Sequence, residues 1–389
     1  MAASATPMVG ADLGDLSREQ ATMLRDTRAL AREVLRPLAD AGEEGRVNRP
    51  LVRALGEHGL LRLLFPGDTG VTDPSKVSAL ELCLIREALA CECTEAETAF
   101  ALQGLGSFPI LLEGSREVVE RWIPNVAHGR AVAAFALTEP AAGTDAGALE
   151  LRATRDGDGW RLSGVKTYIS NAPDADVYSL FARTDGERGA KGVTAFAVPG
   201  EAPGMSGERI ELLAPHPIGR LELDDVALPG DHVLGEVGAG FRVAMRTLDL
   251  FRPSVGAFAV GMAQAALETA VAHADSRHAF GSRLRDFQAV SHRLAEMAMR
   301  TQAARLLVYS AARAYDRGER PVTRQAAMAK LFATEVAQFV VDAAVQIHGA
   351  VALERGHPLE HLYREVRAPR IYEGTSEIQR EIIARELYR

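Results

Sequence analysis

The segment Arg370–Arg380 (RIYEGTSEIQR) places a carboxylate directly before a glycine and two hydroxyl-bearing residues. Gly374 gives the backbone freedom to turn sharply, and Thr375 or Ser376, together with Glu377, could cap a helix that follows. Glu373 would then lie on a loop at a helix N-terminus, where a carboxylate can accept a proton. Taken alone, the segment favours an ordinary capped helix with an exposed glutamate.

A second polar region combines residues 136–145 (ALTEPAAGTD) with residues 166–171 (KTYISN). Small and hydroxyl residues on loops that leave strands can offer N–H and O–H groups to a polar ring edge or to a diphosphate. Flavin cofactors require both kinds of donor. Plain turn chemistry explains each of these segments equally well.

Several familiar catalytic motifs are missing from the sequence. It has no GxGxxG after a strand, no P-loop and no GxSxG elbow, so nicotinamide and ATP chemistry lose support. Residues 357–361 (HPLEH) match the HxxEH pattern of zinc enzymes. Pro358 pushes His357 out of the helical region, so the two imidazoles would not share a face and we expect no metal site.

Hydrophobic periodicity divides the chain into helical, β and helical parts. Ser17 and Gln20 form a capping-box pattern, and further helices are predicted over 51–64, 77–91 and 98–112. Alternation around the Gly-bearing turn at 156–159 predicts a hairpin, and short β runs follow at 177–182 and 193–198. Helical spacing returns over 241–276, 287–316, 322–349 and 376–387, which suggests an antiparallel four-helix bundle.

Length and composition indicate a soluble globular protein. At 389 residues, with 47% hydrophobic and 25% charged residues, the chain has material for two or three domains. Its net charge of −8 argues against nucleic-acid binding. No secretory signal or membrane-length apolar stretch is visible, and three cysteines without a CxxC pair fit a reduced cytoplasm.

Considered together, six ordered segments resemble the acyl-CoA dehydrogenase family along nearly the whole chain. They are Thr138-Glu139-Pro140, Gly143-Thr144-Asp145, Arg277 with Phe280-Gly281, Phe287-Gln288-Ala289, Gln346-Ile347-His348-Gly349 and Tyr372-Glu373-Gly374-Thr375. The resemblance implies an α+β fold: an N-terminal helical domain over 1–131, a middle antiparallel β domain over 132–236 and a C-terminal four-helix bundle over 237–389. It also implies FAD between the β domain and the bundle, and a homotetramer built as a dimer of dimers.

The same resemblance implies which residues bind FAD. Thr138 and Ser170 would hydrogen-bond the flavin ring, Tyr168 would pack beside it, and Thr144 would reach the diphosphate. Residues that would serve the FAD of a neighbouring subunit are Arg277, Gln288, Gln346 and Gly349, and Phe280 is a further implied FAD contact. Thr375 and Glu377 complete the implied cofactor set.

For catalysis, the resemblance implies that Glu373 removes the α-proton of an acyl thioester while FAD N5 accepts the β-hydride. The backbone N–H of Glu373 and a flavin ribityl hydroxyl would bind the thioester oxygen. Some relatives carry the base at the position of Phe251, which cannot serve here, and Arg252 beside it would orient the loop or raise the positive potential.

The acyl group would contact Thr98, Leu102, Leu105, Phe251, Tyr372 and Gly374. Leu102 stands where relatives often have a small residue, which predicts a short pocket.

Two other functions fit the same residues. One is an acyl-thioester oxidase or flavin monooxygenase of the same fold, and the other is a non-catalytic thioester-binding protein. The carrier is CoA or an acyl-carrier protein, and an electron-transfer flavoprotein is the expected electron acceptor. Departures from the family pattern at Ala279, at Ala350 and in the short connection over 217–220 bear on the carrier more than on the flavin.

Overall fold

The computed structural model describes residues 8–13, 16–66, 73–184, 189–319 and 321–388. The chain forms two compact units. Unit 1 comprises Met1–Arg36, Ser78–Glu97 and Asp249–Arg389, and unit 2 comprises Pro37–Val77 and Thr98–Leu248. These units do not coincide with the three predicted domains, whose bounds stay a prediction.

Helices occupy both ends of the chain. The α-helices are α1 (Arg18–Leu30), α2 (Arg36–Asp40), α3 (Arg49–Glu57), α4 (Ala79–Glu92), α5 (Thr94–Glu113), α6 (Arg116–Ala127), α7 (Gly240–Ser276), α8 (Gln288–Asp316), α9 (Thr323–His348), α10 (Pro358–Glu365) and α11 (Ser376–Glu386). A π-helical stretch, Ala31–Leu35, joins α1 to α2, and a 3₁₀ turn covers Leu61–Leu64.

The strands occupy the middle of the chain. They are β1 (Ala133–Ala136), β2 (Arg152–Asp156), β3 (Gly159–Ser170), β4 (Val177–Arg183), β5 (Val193–Pro199), β6 (Met205–Arg209), β7 (Ile218–Leu228), β8 (Val233–Leu234), β9 (His278–Ala279) and β10 (Ser282–Arg283).

The predicted helix starts and the predicted hairpin are largely confirmed. Ser17 and Gln20 form both bonds of a capping box at the start of α1. Strands β2 and β3 pair antiparallel across the predicted turn. The predicted helix over 51–64 is too long, because α3 ends at Glu57 and Gly59 takes a left-handed conformation (φ 80°) that breaks it.

Unit 2 is built on one mixed sheet. Its strand order is β6-β7-β3-β2-β4-β5-β8, mostly antiparallel, while β1 pairs parallel to β4. Strand β4 is buried from Val177 to Ala182, so it reads as a continuous apolar run. Part of α5 covers β1 closely: a Cβ on Gly106 would lie 2.5 Å from the backbone nitrogen of Ala134.

Unit 1 is a helical assembly in which α8 packs on α9 and α4 packs on α1 and α8. Its core holds a buried polar network. The Glu87 carboxylate of α4 accepts bonds from Arg305 Nε and Tyr309 Oη of α8, both at 2.8 Å. Gly261 of α7 permits a close approach, since a Cβ there would lie 2.4 Å from the Glu87 carbonyl oxygen. These contacts fix α4 against α7 and α8.

Two stretches of helix, Gly240–Ser276 and Thr323–Leu353, are long and apolar enough to cross a membrane by length and composition. The sequence expectation that no stretch approaches this length is therefore wrong. Buried core helices of soluble proteins pass the same test, and 72% of the most apolar window of the first helix is buried.

Candidate active site

The loop before α11 has the geometry of a tight turn. Glu373 is left-handed (φ 52°) and Gly374 follows at φ 90°. A Cβ at position 374 would be strained at this φ and would lie 2.5 Å from Gln379 Nε2, so the position favours glycine. Thr375 then caps α11 by accepting a bond from the Ile378 N–H. A left-handed conformation at a glutamate is costly and is typical of functional sites.

Side chains from two helices hold the carbonyl groups of this turn. Lys330 of α9 donates from Nζ to the Gly374 oxygen at 2.6 Å. Gln379 of α11 donates from Nε2 to the same oxygen at 3.0 Å and to the Glu373 oxygen at 3.2 Å. The turn is therefore tied down on its carbonyl side. Among the described residues, the Glu373 N–H has no hydrogen-bond acceptor.

Glu373 is partly exposed, but one side of its carboxyl group is buried without a hydrogen-bond donor from the described residues. Its Oε2 atom is buried and has no partner among the described residues. Burial raises the pKa of Glu373, while the positive charges of Arg86, Lys330 and Arg252 act in the opposite direction. The carboxylate therefore combines free lone pairs with a raised proton affinity.

Arg252 lies in α7, within electrostatic reach of Glu373, as the sequence interpretation expected. Its side chain is buried, its Nε has no partner among the described residues, and Nη1 lies 3.5 Å from Asp249 Oδ1. Burial lowers the pKa of Arg252, and the charges of Asp249 and Glu373 offset part of this effect. Phe251, the preceding residue, is buried and carries no titratable group.

Arg86, the cation whose charge acts most strongly on Glu373, was not predicted from the sequence. Arg86 is buried in α4, where its Nε donates to Glu97 and its Nη1 donates to Ser254 Oγ at 2.6 Å. Burial raises the pKa of Glu97 to about 7. The signal was a single cation in the mostly apolar run 79–91 (ALELCLIREALAC), which matches no known motif.

Other predicted residues of this loop have local partners. Ser376 donates to Glu335 Oε1 at 2.7 Å, and the exposed Glu377 has its pKa lowered by hydrogen bonds at the start of α11. Tyr372 is 37% exposed. Nearby on α10, burial raises the pKa of Glu365 to about 8, and this glutamate takes no part in the loop's hydrogen bonds.

The histidines of the HxxEH segment have separate partners. His357 caps α10 by accepting from the Leu359 N–H at 3.1 Å. His361 Nε2 lies 2.6 Å from Thr94 Oγ1 and 3.4 Å from Glu95 Oε1. Each ring has a structural role of its own.

In unit 2, an ion pair fixes the polar segment that follows β1. Lys166 of β3 is fully buried and donates to the Leu137 carbonyl oxygen and to Glu139 Oε1, at 2.9 and 2.8 Å. Glu139 also accepts the N–H groups of residues 150 and 151. The Thr138 carbonyl oxygen accepts from the Thr167 N–H at 3.0 Å. Thr138 is thus held beside β3, where the sequence interpretation places a flavin contact.

The end of β3 presents an aromatic ring and a hydroxyl group. Pairing with β7 shifts register between Lys166 and Ile169, and Tyr168 is left-handed there (φ 54°) with 59% of its surface exposed. Ser170 Oγ lies 3.0 Å from Nε2 of His216, whose pKa is lowered to about 4 by burial. The imidazole is therefore neutral at physiological pH. Thr144 is exposed on the segment after Glu139.

This arrangement fits a flavin. An exposed aromatic ring held in a costly left-handed conformation can pack on an apolar ring system, and the neighbouring hydroxyl and backbone groups can meet its polar edge. The Lys166 ammonium adds no free charge to this surface, because it is paired with the Glu139 carboxylate. The residues present therefore fit FAD.

The implied FAD contact Phe280 and the residues predicted to serve a neighbour's FAD are exposed on unit 1. Phe280 forms, with Gly281, the turn between β9 and β10, with φ of 50° and 81°. The Phe280 side chain is 99% exposed. The four residues predicted to serve a neighbour's FAD are also exposed: Arg277, Gln288, Gln346 and Gly349. Their contacts with a second subunit stay a prediction.

The predicted acyl-contacting residues of α5 lie along one face of the helix. Thr98, Leu102 and Leu105 are each partly exposed, whereas Phe100 between them is fully buried. Phe100 is therefore a core residue. The partly exposed stripe remains available to line a pocket.

Comparison with known families and proteins gives one consistent result. The acyl-CoA dehydrogenase N-terminal, middle and C-terminal domain models match residues 17–130, 134–226 and 238–388. Cyclohexane-1-carbonyl-CoA dehydrogenase of Geobacter metallireducens is 35% identical, covering 95% of this chain and 98% of the relative. The mitochondrial short-chain specific acyl-CoA dehydrogenase of Bos taurus is 38% identical, covering 94% of this chain and 89% of the relative.

A solved structure agrees with these matches. Butyryl-CoA dehydrogenase from Megasphaera elsdenii superposes with a TM-score of 0.90 at 34% identity, covering 96% of this chain and 99% of that one. The predicted fold class is confirmed. The chain belongs to the acyl-CoA dehydrogenase family and is an FAD-dependent acyl-CoA dehydrogenase.

Proposed function

We propose that Glu373 is the base that removes the α-proton of the acyl thioester. The observation that carries this assignment is its buried Oε2 atom, which accepts no hydrogen bond from any described residue. A lone pair without a donor can accept the α-proton directly. Burial raises the proton affinity of the carboxylate, which improves a group that is a weak base in water.

The turn supplies a second group for the reaction. The Glu373 N–H, which has no acceptor among the described residues, donates to the thioester carbonyl oxygen and stabilises the negative charge that develops there. Arg86, Lys330 and Arg252 add positive potential around the same turn. FAD, when bound, accepts the hydride from the β-carbon. The product is a 2-enoyl thioester.

For the cofactor, we propose that Thr138, Tyr168 and Ser170 contact the flavin ring and Thr144 the diphosphate. The exposed Tyr168 ring and the Ser170–His216 pair support this assignment. Thr375 and Glu377 complete the set. The Thr375 hydroxyl oxygen already accepts the Ile378 N–H, so Thr375 would contact the cofactor through its remaining hydrogen-bonding groups.

Anaerobic flavin bleaching tests the reaction. Purified protein should be yellow, and a short acyl-CoA should bleach it without oxygen and yield the enoyl-CoA. On readmission of air the reduced flavin should reoxidise slowly. Fast reoxidation with peroxide formation would identify an oxidase instead, and a colourless protein that binds acyl-CoA without turnover would identify a binding protein.

We also propose a short acyl group on CoA. Leu102 is partly exposed on the same face of α5 as Thr98 and Leu105, where it would shorten the acyl pocket. A longer acyl chain would have to displace it, and overpacking costs about 1 to 3 kcal/mol. Relatives named for short-chain and butyryl substrates support this choice. Comparing kcat/KM for short, medium and long acyl thioesters on CoA and on an acyl-carrier protein tests the chain length and the carrier together.

We further propose a cytoplasmic homotetramer that passes electrons to an electron-transfer flavoprotein. Helices α8 and α9 expose large apolar side chains to solvent, namely Met299, Leu306, Met328 and Phe332. Exposed apolar groups of this kind are typical of subunit contacts. Three free, buried cysteines fit a reducing compartment. Light scattering on the FAD-loaded enzyme gives the subunit number.

A further inference from the structure

We propose that Lys330 is a positioning residue for catalysis: its ammonium group clamps the Glu373–Gly374 turn from α9 and so aims the Glu373 carboxylate and N–H at the substrate. This inference rests on the proposed role of Glu373 as the base. It concerns a residue that no sequence motif singled out.

The hydrogen-bond geometry is direct. Lys330 is fully buried, and its Nζ donates to the Gly374 carbonyl oxygen at 2.6 Å. That oxygen also accepts from Gln379 Nε2 at 3.0 Å. One carbonyl therefore receives donors from α9 and from α11, on either side of a turn whose residues are both left-handed. Such a conformation persists only where its surroundings over-determine it.

The charge of Lys330 is poorly compensated for a buried group. Among the described residues, no carboxylate lies within 4.0 Å of its Nζ, whereas the other buried lysine, Lys166, has Glu139 at 2.8 Å. Burying an ammonium group without an ion-pair partner is expensive. An apolar residue at this place would pack without that cost. A lysine here is therefore explained by its bond to the turn and by its charge beside the base.

The charge also acts on the base. The Lys330 ammonium lowers the pKa of Glu373, against the effect of burial. The pKa of Lys330 is itself lowered to about 8 by burial, so the cation is present at neutral pH. The other charged or titratable groups around these two residues are Arg86 on α4, Glu97 on α5, Arg252 on α7, Glu335 on α9, Tyr372 in the loop and Glu377 on α11.

Four variants separate the bond from the charge. Lys330→Met removes both, Lys330→Arg keeps the charge, and Gln379→Met removes the second donor to the same carbonyl without changing the charge. Lys76→Met is the matched control, because Lys76 is an exposed lysine in the 3₁₀ turn Pro74–Lys76. Each holoenzyme is mixed anaerobically with butyryl-CoA, and the rate of flavin reduction at saturating substrate, the half-saturation concentration and the FAD content are measured from pH 5 to 9.

Lys330→Met should reduce flavin more slowly by roughly 10- to 100-fold, since misplacing a reacting group by about 1 Å costs on the order of 100-fold. FAD content and half-saturation should change little. The acid limb of the rate profile should move to higher pH, because losing a nearby cation raises the pKa of Glu373. Lys330→Arg should keep the limb in place and recover part of the rate, and Gln379→Met should slow reduction without moving the limb. Lys76→Met should match wild type.

A wild-type rate and an unmoved acid limb in Lys330→Met would overturn the inference. If that variant does not fold, an unchanged rate in both Lys330→Arg and Gln379→Met would overturn it equally. Glu373→Gln in the same assay separates this from a failure of the proposed function. If Glu373→Gln reduces flavin normally, the base is misassigned; if it is inactive while the clamp variants behave as wild type, only the role of Lys330 is wrong.

Discussion

Two buried carboxylates, Glu139 of unit 2 and Glu373 of unit 1, are held in opposite ways. In unit 2, the ammonium of Lys166 and the carboxylate of Glu139 form a closed pair whose remaining hydrogen-bonding capacity is met by backbone groups. In unit 1, the Glu373 carboxyl group lies among cations that make no hydrogen bond to it. The satisfied pair makes a rigid support, and the unsatisfied carboxylate makes a reactive group.

The difference shows which kind of contact supports each site. A buried charge that lacks donors is destabilising, so the base loop needs external supports such as the Lys330 and Gln379 bonds. The end of β3, which we propose contacts the flavin, offers an exposed aromatic ring and hydroxyl groups and holds them through its backbone shape. Breaking the contacts of the Glu373 loop should lower the rate of flavin reduction. Breaking the Lys166–Glu139 pair should lower the stability of the fold and the FAD content.

The largest expected effect comes from opening the closed pair. Lys166→Met leaves the Glu139 carboxylate buried without its cation, which costs about 3 to 5 kcal/mol of stability. The melting temperature and the FAD content of the purified protein should both fall. Lys191→Met, at an exposed lysine of the same unit, is the control and should change neither. Full FAD loading at an unchanged melting temperature in Lys166→Met would remove the contrast between the two units.

A smaller effect, on rate and pH dependence, is expected at Arg252. Arg252→Met removes one of the cations that lower the pKa of Glu373, so the acid limb of flavin reduction should move upward and the rate near pH 6 should fall roughly 10-fold. Arg252→Lys keeps the charge and should retain the position of the limb. Stability should change less than in Lys166→Met. A pH profile identical to wild type would show that Arg252 does not act on the base.

The smallest effect is expected at the exposed ring of Tyr168. Tyr168→Ala removes an aromatic contact worth about 0.5 to 1.5 kcal/mol, so FAD should bind more weakly by roughly 2- to 12-fold. Tyr168→Phe keeps the ring and should bind FAD as wild type does. Fluorescence titration of FAD into the apoprotein measures both. Equal affinities for all three proteins would mean that the ring does not contact the flavin.

How much of the site the sequence could predict depends on the range of the interactions. The Glu373 loop and the helix cap at Thr375 were visible because glycine, hydroxyl and carboxylate residues stand next to one another. The β2–β3 hairpin was visible through its alternation and its turn. Each of these features is local in the chain.

Arg86 and Lys330 could not be predicted in this way. They lie 287 and 43 positions from Glu373 in the chain (373 − 86 and 373 − 330), and they reach it only through the packing of α4 and α9. Each stands among mostly apolar residues of its helix, where a cation looks like an interruption of the core. The same limit hid His216, whose contact with Ser170 depends on the loop between β6 and β7. The break of the predicted helix after Glu57 was missed because one left-handed glycine outweighed the apolar periodicity.

Stopped-flow flavin reduction tests whether the Glu373 carboxylate removes the α-proton. Wild type, Glu373→Gln and Glu365→Gln are loaded with FAD and mixed anaerobically with saturating butyryl-CoA. Glu365 is the matched control because it too is a buried glutamate of unit 1 with a raised pKa. Glu373→Gln should keep its FAD and fold but lose nearly all flavin reduction, while Glu365→Gln should reduce flavin at the wild-type rate. Bleaching of Glu373→Gln at close to the wild-type rate would contradict this role of Glu373.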